Sequence, residues 1–176
     1  ATTVNLAGLE ITGSAVSGVG TWLIVPEYRL GLDIGLTCTE TLPMPTVLIT
    51  HAHIDHLCAV CWHADTRGLM GMKRPRYVVP PAVAEPLEEL FAAWDRLGGC
   101  RFPYAIVPLG PGEELTLPRG LGVRPFETFH RGVSQGYALW RTVRKLKPEY
   151  IGLPGEQIRK LRAEQGAHVI CASRKI

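Results

Sequence analysis

At 176 residues, 46% hydrophobic and 20% charged, the chain suits a globular domain that buries its own core, which excludes the disordered and low-complexity classes and leaves no need for disulfides or a structural metal. Any metal is therefore expected to serve chemistry. The net charge of +3 is too small to signal nucleic-acid binding by itself, and no apolar run reaches the roughly 20 residues of a membrane span, so no membrane partner is expected.

The first twenty residues, "ATTVNLAGLEITGSAVSGVG", lack a basic leader followed by an unbroken apolar stretch, so a cytoplasmic location is expected. Four segments then read as short strands between Gly and Pro punctuation: "TVNLAGLEITGSAV", "TWLIV", "YRLGLDIG" and "TVLIT". "LCAVCWHADTRGLM" reads as a helix and "RYVVP" as a strand. "AVAEPLEELFAAWDRLG" is the strongest helix in the chain. Its Leu87, Leu90, Phe91 and Trp94 recur at helical spacing, Gly98 stops it, and Pro86 is expected in or near its first turn. "YAIVPL", "EELTL", "GVRPFETF" and "GYALWRTV" follow as strands, and "GEQIRKLRAEQG" as a short exposed helix. Strands outnumber helices, and no internal repeat or linker interrupts what reads as one domain, 1–176.

Charge is unevenly spread. From Trp140 onward there are nine Lys or Arg against three acids, whereas the preceding residues hold ten bases and thirteen acids. The five cysteines, Cys38, Cys58, Cys61, Cys100 and Cys171, are odd in number and scattered, which fits reduced thiols. "CAVC" has the spacing of a zinc knuckle or redox pair, but no second CxxC accompanies it, so Cys58 and Cys61 are expected as buried, inert thiols on a packed helix. His63 is expected at the polar edge of that helix.

Three of the six histidines fall in "HAHIDH" at 51–56, directly after an apolar strand. Residues two apart on an extended strand end project to one side, so His51 and His53 can aim both imidazoles at one point, with Asp55 and His56 following on the loop. Imidazole and carboxylate are zinc ligands, and a catalytic zinc keeps one position open for water.

"THAHIDH" resembles the HxHxDH signature of the metallo-β-lactamase-fold hydrolases. More narrowly, "FHRGVSQGYALW" at 129–140 is similar to the segment of ribonuclease Z, the transfer-RNA 3′-processing endonuclease, in which a metal-binding His precedes Ser-x-Gly-Tyr, and "GLDIG" resembles its strand-end Asp. The resemblance implies an α/β (α+β) fold, the αββα sandwich, of which this chain would hold the N-terminal half and part of the second. It implies that His51, His53 and His130 bind a first zinc, that Asp55 and His56 begin a second site, that Asp55 also orients or deprotonates the attacking water, and that Asp33 supports the cluster from beneath. Manganese would suit the same ligands. The activity implied is phosphodiester cleavage by metal-bound hydroxide. The basic segment from Arg141 occupies the place of the family's RNA-gripping arm, so Arg141, Arg144, Lys145 and Lys147 are the expected RNA contacts.

The family's second half supplies a metal-bridging Asp and a final His. After Gly166 the sequence holds no Asp, and its single His there, His168, matches nothing. One zinc site is therefore expected to be well supplied and the other poor, activity weak or absent, and the domain completed by a homodimer partner or a second chain. Two alternatives remain open: a thioester or lactone hydrolase using the same ligands, and a catalytically silent metal-binding assembly protein.

Overall fold

The computed structural model describes residues 1–6, 8–99 and 101–175, with the backbone alone for Arg144, His168 and Lys175. Two compact units emerge: residues 1–115 with 124–138, and residues 116–123 with 139–176. The strands expected from the sequence are present. The first expected segment is a hairpin of β1 (Thr2–Leu6) and β2 (Leu9–Val16), paired antiparallel with Leu6 opposite Leu9.

The first unit is built on a seven-stranded sheet in sequential order, β1, β2, β3 (Gly20–Val25), β4 (Leu30–Ile34), β5 (Thr46–Leu48), β6 (Arg76–Val79) and β7 (Ala105–Pro108). β1 to β4 form an antiparallel meander and β4 to β7 run parallel. The change follows from the connections, because parallel neighbours need a crossover and antiparallel ones only a turn. α1 (Ile54–Leu57) and α2 (Val60–Leu69) join β5 to β6, and α3 (Pro81–Gly98) joins β6 to β7. The parallel strands are accordingly near-continuous apolar runs, buried at all of Thr46–Leu48 and at Tyr77–Val79.

α3 packs on this sheet through Val83, Leu87 and Phe91, each four residues from the last. Phe91 stacks on Tyr104 with ring centroids 3.8 Å apart and on Tyr77 at 5.9 Å. Burying such side chains stabilises the unit by roughly 1.5–3 kcal/mol apiece. Leu90 and Trp94, expected on the buried stripe, are instead 43% and 49% exposed, because the face set by Leu87 and Phe91 is already filled by the i±4 row. Pro86 lies inside the helix and not in its first turn, since α3 begins at Pro81; having no N–H, it cannot donate the i→i−4 bond to the Ala82 carbonyl.

His63 corrects the expectation of a polar edge. It lies on the inner face of α2 with Val60, Ala64 and Arg67, and is fully buried. Its Nε2–H donates to the Thr41 carbonyl at 3.1 Å, and Nδ1 sits 2.8 Å from the Tyr77 hydroxyl. Arg67, on the same stripe, donates to the carbonyls of Leu42 and Lys73. Two of the five buried residues of α2, His63 and Arg67, are thus polar, which hides the face from a hydropathy reading. Burial, with the Arg67 charge nearby, pushes His63 down to about 4. An unfolded histidine titrates near 6.5, so between pH 6.5 and 4 the unfolded chain takes up a proton that the folded chain refuses. Stability is indifferent to this group above pH 6.5, falls by up to about 3 kcal/mol as pH drops to 4, and then levels off. Urea unfolding of wild type and His63→Gln from pH 7.5 to 4 should show a shallower pH slope in the variant; identical slopes would rule the account out.

The second unit centres on a sheet in the order β11 (Ile170–Lys175), β10 (Gln135–Leu146), β9 (Leu121–Glu127) and β8 (Leu115–Leu117), strands of which β8, β9 and β10 begin or end in the first unit. β11 was not anticipated; it pairs antiparallel with β10 from Arg141 opposite Lys175 to Leu146 opposite Ile170. Arg174 lies 4.6 Å above the Trp140 ring. α4 (Gly155–Gln165) buries no residue, as expected of an exposed helix. No helix among the described residues is long and apolar enough to cross a membrane.

Candidate metal centre

The centre is built at the C-terminal end of β5. After Leu48 the chain stays extended: Ile49 donates its N–H to Val78 at 2.8 Å, and His51 forms an isolated antiparallel bridge with Ser134. His53 keeps an extended conformation and caps the N-terminus of α1. Asp55 and His56 therefore sit in a helical turn and not on a loop, which is a correction to the sequence reading; the turn forms because the His56 N–H bonds back to the His53 carbonyl at 2.9 Å.

His130 arrives from a segment nearly eighty residues away, between β9 and β10. Candidate ligand atoms of His51, His53 and His130 all lie within 4.8 Å of one another. Ring centroids are 4.8 Å apart for His51 and His53, 4.3 Å for His51 and His130, and 4.8 Å for His53 and His130. The His56 ring is 4.0 Å from that of His51.

Hydrogen bonding sets the tautomers. Asp33, buried behind the cluster, accepts from the Thr50 N–H (2.8 Å) and from the Thr50 hydroxyl (2.8 Å at Oδ2), and its Oδ2 accepts from His56 Nδ1 at 2.8 Å. Since the Thr50 hydroxyl gives its proton to Asp33, its oxygen accepts from His51 Nδ1 at 2.9 Å. His130 Nδ1 donates to the Arg131 carbonyl at 3.1 Å. In His51, His56 and His130 the proton is thus held at Nδ1, leaving the Nε2 lone pair for a ligand. Asp33 reaches this position with φ of 56°, and burial raises its carboxyl pKa against the pull of His56 and Thr50. Burial, followed by the neighbouring imidazoles His56, His130 and His53, pushes His51 down to about 4.

Asp55 is anchored from an unexpected direction. Its Oδ2 accepts the Gly18 N–H at 2.8 Å from the β2–β3 turn and stands 3.9 Å from His56 Nε2. The Gly18 bond holds the Asp55 carboxyl below the usual carboxylate range.

Ser-x-Gly-Tyr also acquires a physical role. The Tyr137 hydroxyl donates to the Ile49 carbonyl at 2.7 Å and receives Gln135 Nε2 at 2.7 Å, while the Gln135 N–H bonds the Thr50 carbonyl at 2.9 Å. These bonds tie the start of β10, and hence the His130 loop, to the chain just before His51. Thr50, Gln135, Tyr137 and Gly18 were not read from the sequence as positioning groups. The signals available were a Thr immediately before HxH, the quoted "SQGY", and the "SGVG" turn.

Other expected residues fall elsewhere. Cys61 is buried and raised to about 11 by burial and by Asp95. Cys58 is exposed, contrary to expectation, because α1 ends there; its thiol donates to the Gly35 carbonyl at 2.8 Å. Cys100 lies outside the described residues. Arg141 and Lys145 are on β10, with side chains on one face by strand alternation. Lys147 follows it, 3.9 Å from Glu149. The Arg144 and His168 side chains lie outside the described residues.

No protein-family model matches the chain. Among solved structures, the metallo-β-lactamase-fold protein YhfI of Bacillus subtilis is similar with a TM-score of 0.54, 15% identity, and coverage of 75% of this chain and 57% of that one. Among curated proteins, tRNase Z TRZ1 of Arabidopsis thaliana is 36% identical over 159 residues, 90% of this chain and 57% of that protein. The chloroplastic tRNase Z TRZ2 of the same plant is 34% identical over 164 residues, 90% of this chain and 46% of that protein. The chain therefore spans about half the length of these two relatives. The nuclear ribonuclease Z of Triticum aestivum is 35% identical over 159 residues, 90% of either chain. With that coverage on both sides, and a mixed α/β architecture that matches a metallo-β-lactamase-fold structure, the chain belongs to the ribonuclease Z family.

Proposed function

We propose that this chain is a metal-dependent phosphodiesterase that acts on transfer RNA, the substrate named for its tRNase Z relatives. The observation that carries this reading is the gathering of His51, His53 and His130 within 4.8 Å from two distant segments. The donor set suits a divalent ion: three imidazoles, at least two with Nδ1 engaged and Nε2 free, are the ligands of a three-protein-ligand zinc site. A tetrahedral ion with bonds of about 2.1 Å draws its donors to roughly 3.4 Å, so modest side-chain rotation closes the trio. When bound, the ion supplies Lewis acidity, easing deprotonation of water and offsetting charge on a phosphoryl oxygen.

The chain's own residues do the rest. Asp55, with Oδ2 held by Gly18, orients the attacking water and accepts its proton. His56, fixed by Asp33, presents Nε2 beside Asp55, and the pair begins a second cation position. Asp33 and Thr50 hold two imidazoles in the ligating tautomer. Arg141, Lys145 and Lys147 contribute phosphate contacts that position RNA without reading its sequence.

The test is hydrolysis of an activated phosphodiester and an activated thioester by the zinc-loaded chain, in wild type and Asp55→Ala. Phosphodiester cleavage should exceed thioester cleavage and fall roughly a hundredfold in the variant, the usual cost of removing a general base. A preference for the thioester, or full activity without Asp55, would defeat the reading.

A further inference from the structure

Beside the three histidines lies a cavity of about 220 Å³ lined by His51, Ala52, His53, Ala82, Val83 and the loop residues Arg131, Gly132 and Val133. One wall therefore carries two of the candidate ligands and another carries a cationic residue. No acidic side chain lines it, and α3, which opens at the Ala82–Val83 wall, has none in its first turn. The nearest carboxylate acting on the lining is that of Asp55, which is felt at His51 but does not itself line the cavity.

Arg131 is exposed, and its guanidinium makes no hydrogen bond or ion pair among the described residues. Its backbone is nonetheless held. The loop is closed at its base by a 2.7 Å bond between the Thr128 and Ser134 hydroxyls, Ser134 bridges to His51, and the Arg131 carbonyl accepts His130 Nδ1 at 3.1 Å. A positioned main chain thus carries, at the lining of the same cavity, a guanidinium with no hydrogen bond or ion pair among the described residues. Arginine presents a planar fork of donors that matches phosphate bidentately, and such charge-assisted bonds are about twice as strong as neutral ones.

We infer that Arg131 is a specificity-determining residue of this site, binding a phosphate oxygen of the substrate in the cavity beside His51 and His53 and so favouring phosphodiesters over uncharged esters. The inference rests on the phosphodiesterase reading and adds to it a residue that is not a metal ligand. A neutral thioester offers Arg131 no anionic oxygens, so the residue raises affinity for one substrate class only. Because the metal is held by other side chains, removing Arg131 leaves ion binding intact.

The experiment is calorimetric titration of inorganic phosphate into the zinc-loaded chain, in wild type, Arg131→Ala and Arg131→Lys, with zinc content per chain measured on each. Arg131→Ala should bind phosphate roughly tenfold or more weakly at unchanged zinc content. Arg131→Lys should recover part of the affinity, since it restores the charge without the fork. On the activated esters, Arg131→Ala should raise KM for the phosphodiester and leave the thioester unaffected. Phosphate affinity within twofold of wild type in a zinc-replete Arg131→Ala would overturn this inference and leave the phosphodiesterase reading standing. A zinc-replete wild type that binds no phosphate would overturn both.

Discussion

Zinc retained per chain is expected to fall by more than tenfold when His130 is replaced by alanine, measured by elemental analysis after dialysis against zinc-free buffer. Among the described residues, His51, His53 and His130 are the three whose candidate ligand atoms converge within 4.8 Å, so losing one would leave two protein ligands where a stable zinc site needs at least three. Loss of a mere supporting partner costs a metal site about 10–100-fold in affinity, and loss of a ligand should exceed that. His130 is the informative position because it is exposed on a loop, whereas His51 is buried and its replacement would also disturb packing. The apo variant should therefore unfold at the wild-type temperature. Because an ion bound only by the native state stabilises in proportion to its saturation, added zinc should raise the midpoint of wild type alone. Wild-type zinc content in folded His130→Ala would remove that histidine from the centre.

Gly35→Ala should be the most damaging small substitution in the first unit. The residue follows β4 and is enclosed on both sides: its N–H donates to the Thr21 carbonyl at 2.8 Å, and its carbonyl accepts the Cys58 thiol at 2.8 Å. The neighbouring Ile34 carbonyl accepts the Ala59 N–H at 3.0 Å. A Cβ at position 35 would overlap the Asp55 carbonyl group, which is backbone and cannot rotate away. Relief requires α1 to move outward, carrying Asp55 and His56 away from Gly18 and Asp33. Overpacking of this kind costs typically 1–3 kcal/mol and sometimes more. Urea unfolding should place Gly35→Ala at least about 2 kcal/mol below wild type. Gly31→Ala is the control, since its Cβ would meet the Val47 Cγ2 at 3.3 Å, a side-chain atom able to give slightly. Equal stability of the two variants would show that the close approach of α1 is not what position 35 protects.

Local pattern carried much of this protein. Apolar runs of Val, Ile and Leu between Gly and Pro determined the strands, because a buried parallel strand needs apolar side chains on both faces. The spacing of His51 and His53, with a motif around His130, was enough to nominate a metal centre and a family. These are short-range properties of the chain. Which side chains meet was decided by the tertiary structure. Phe91 and Leu87 are buried while Leu90 and Trp94 are not, since the helical period allows either stripe and only the sheet beneath α3 selects one. His63 is buried because Tyr77 and the Thr41 carbonyl, 14 and 22 residues away in sequence, arrive to satisfy its two nitrogens; without them the polar reading would have been correct. Gly18 reaches Asp55 across 37 residues and Tyr137 reaches Ile49 across 88. Sequence spacing nominates the candidate ligands, but their orientation depends on hydrogen bonds between segments that only the folded sheet brings together.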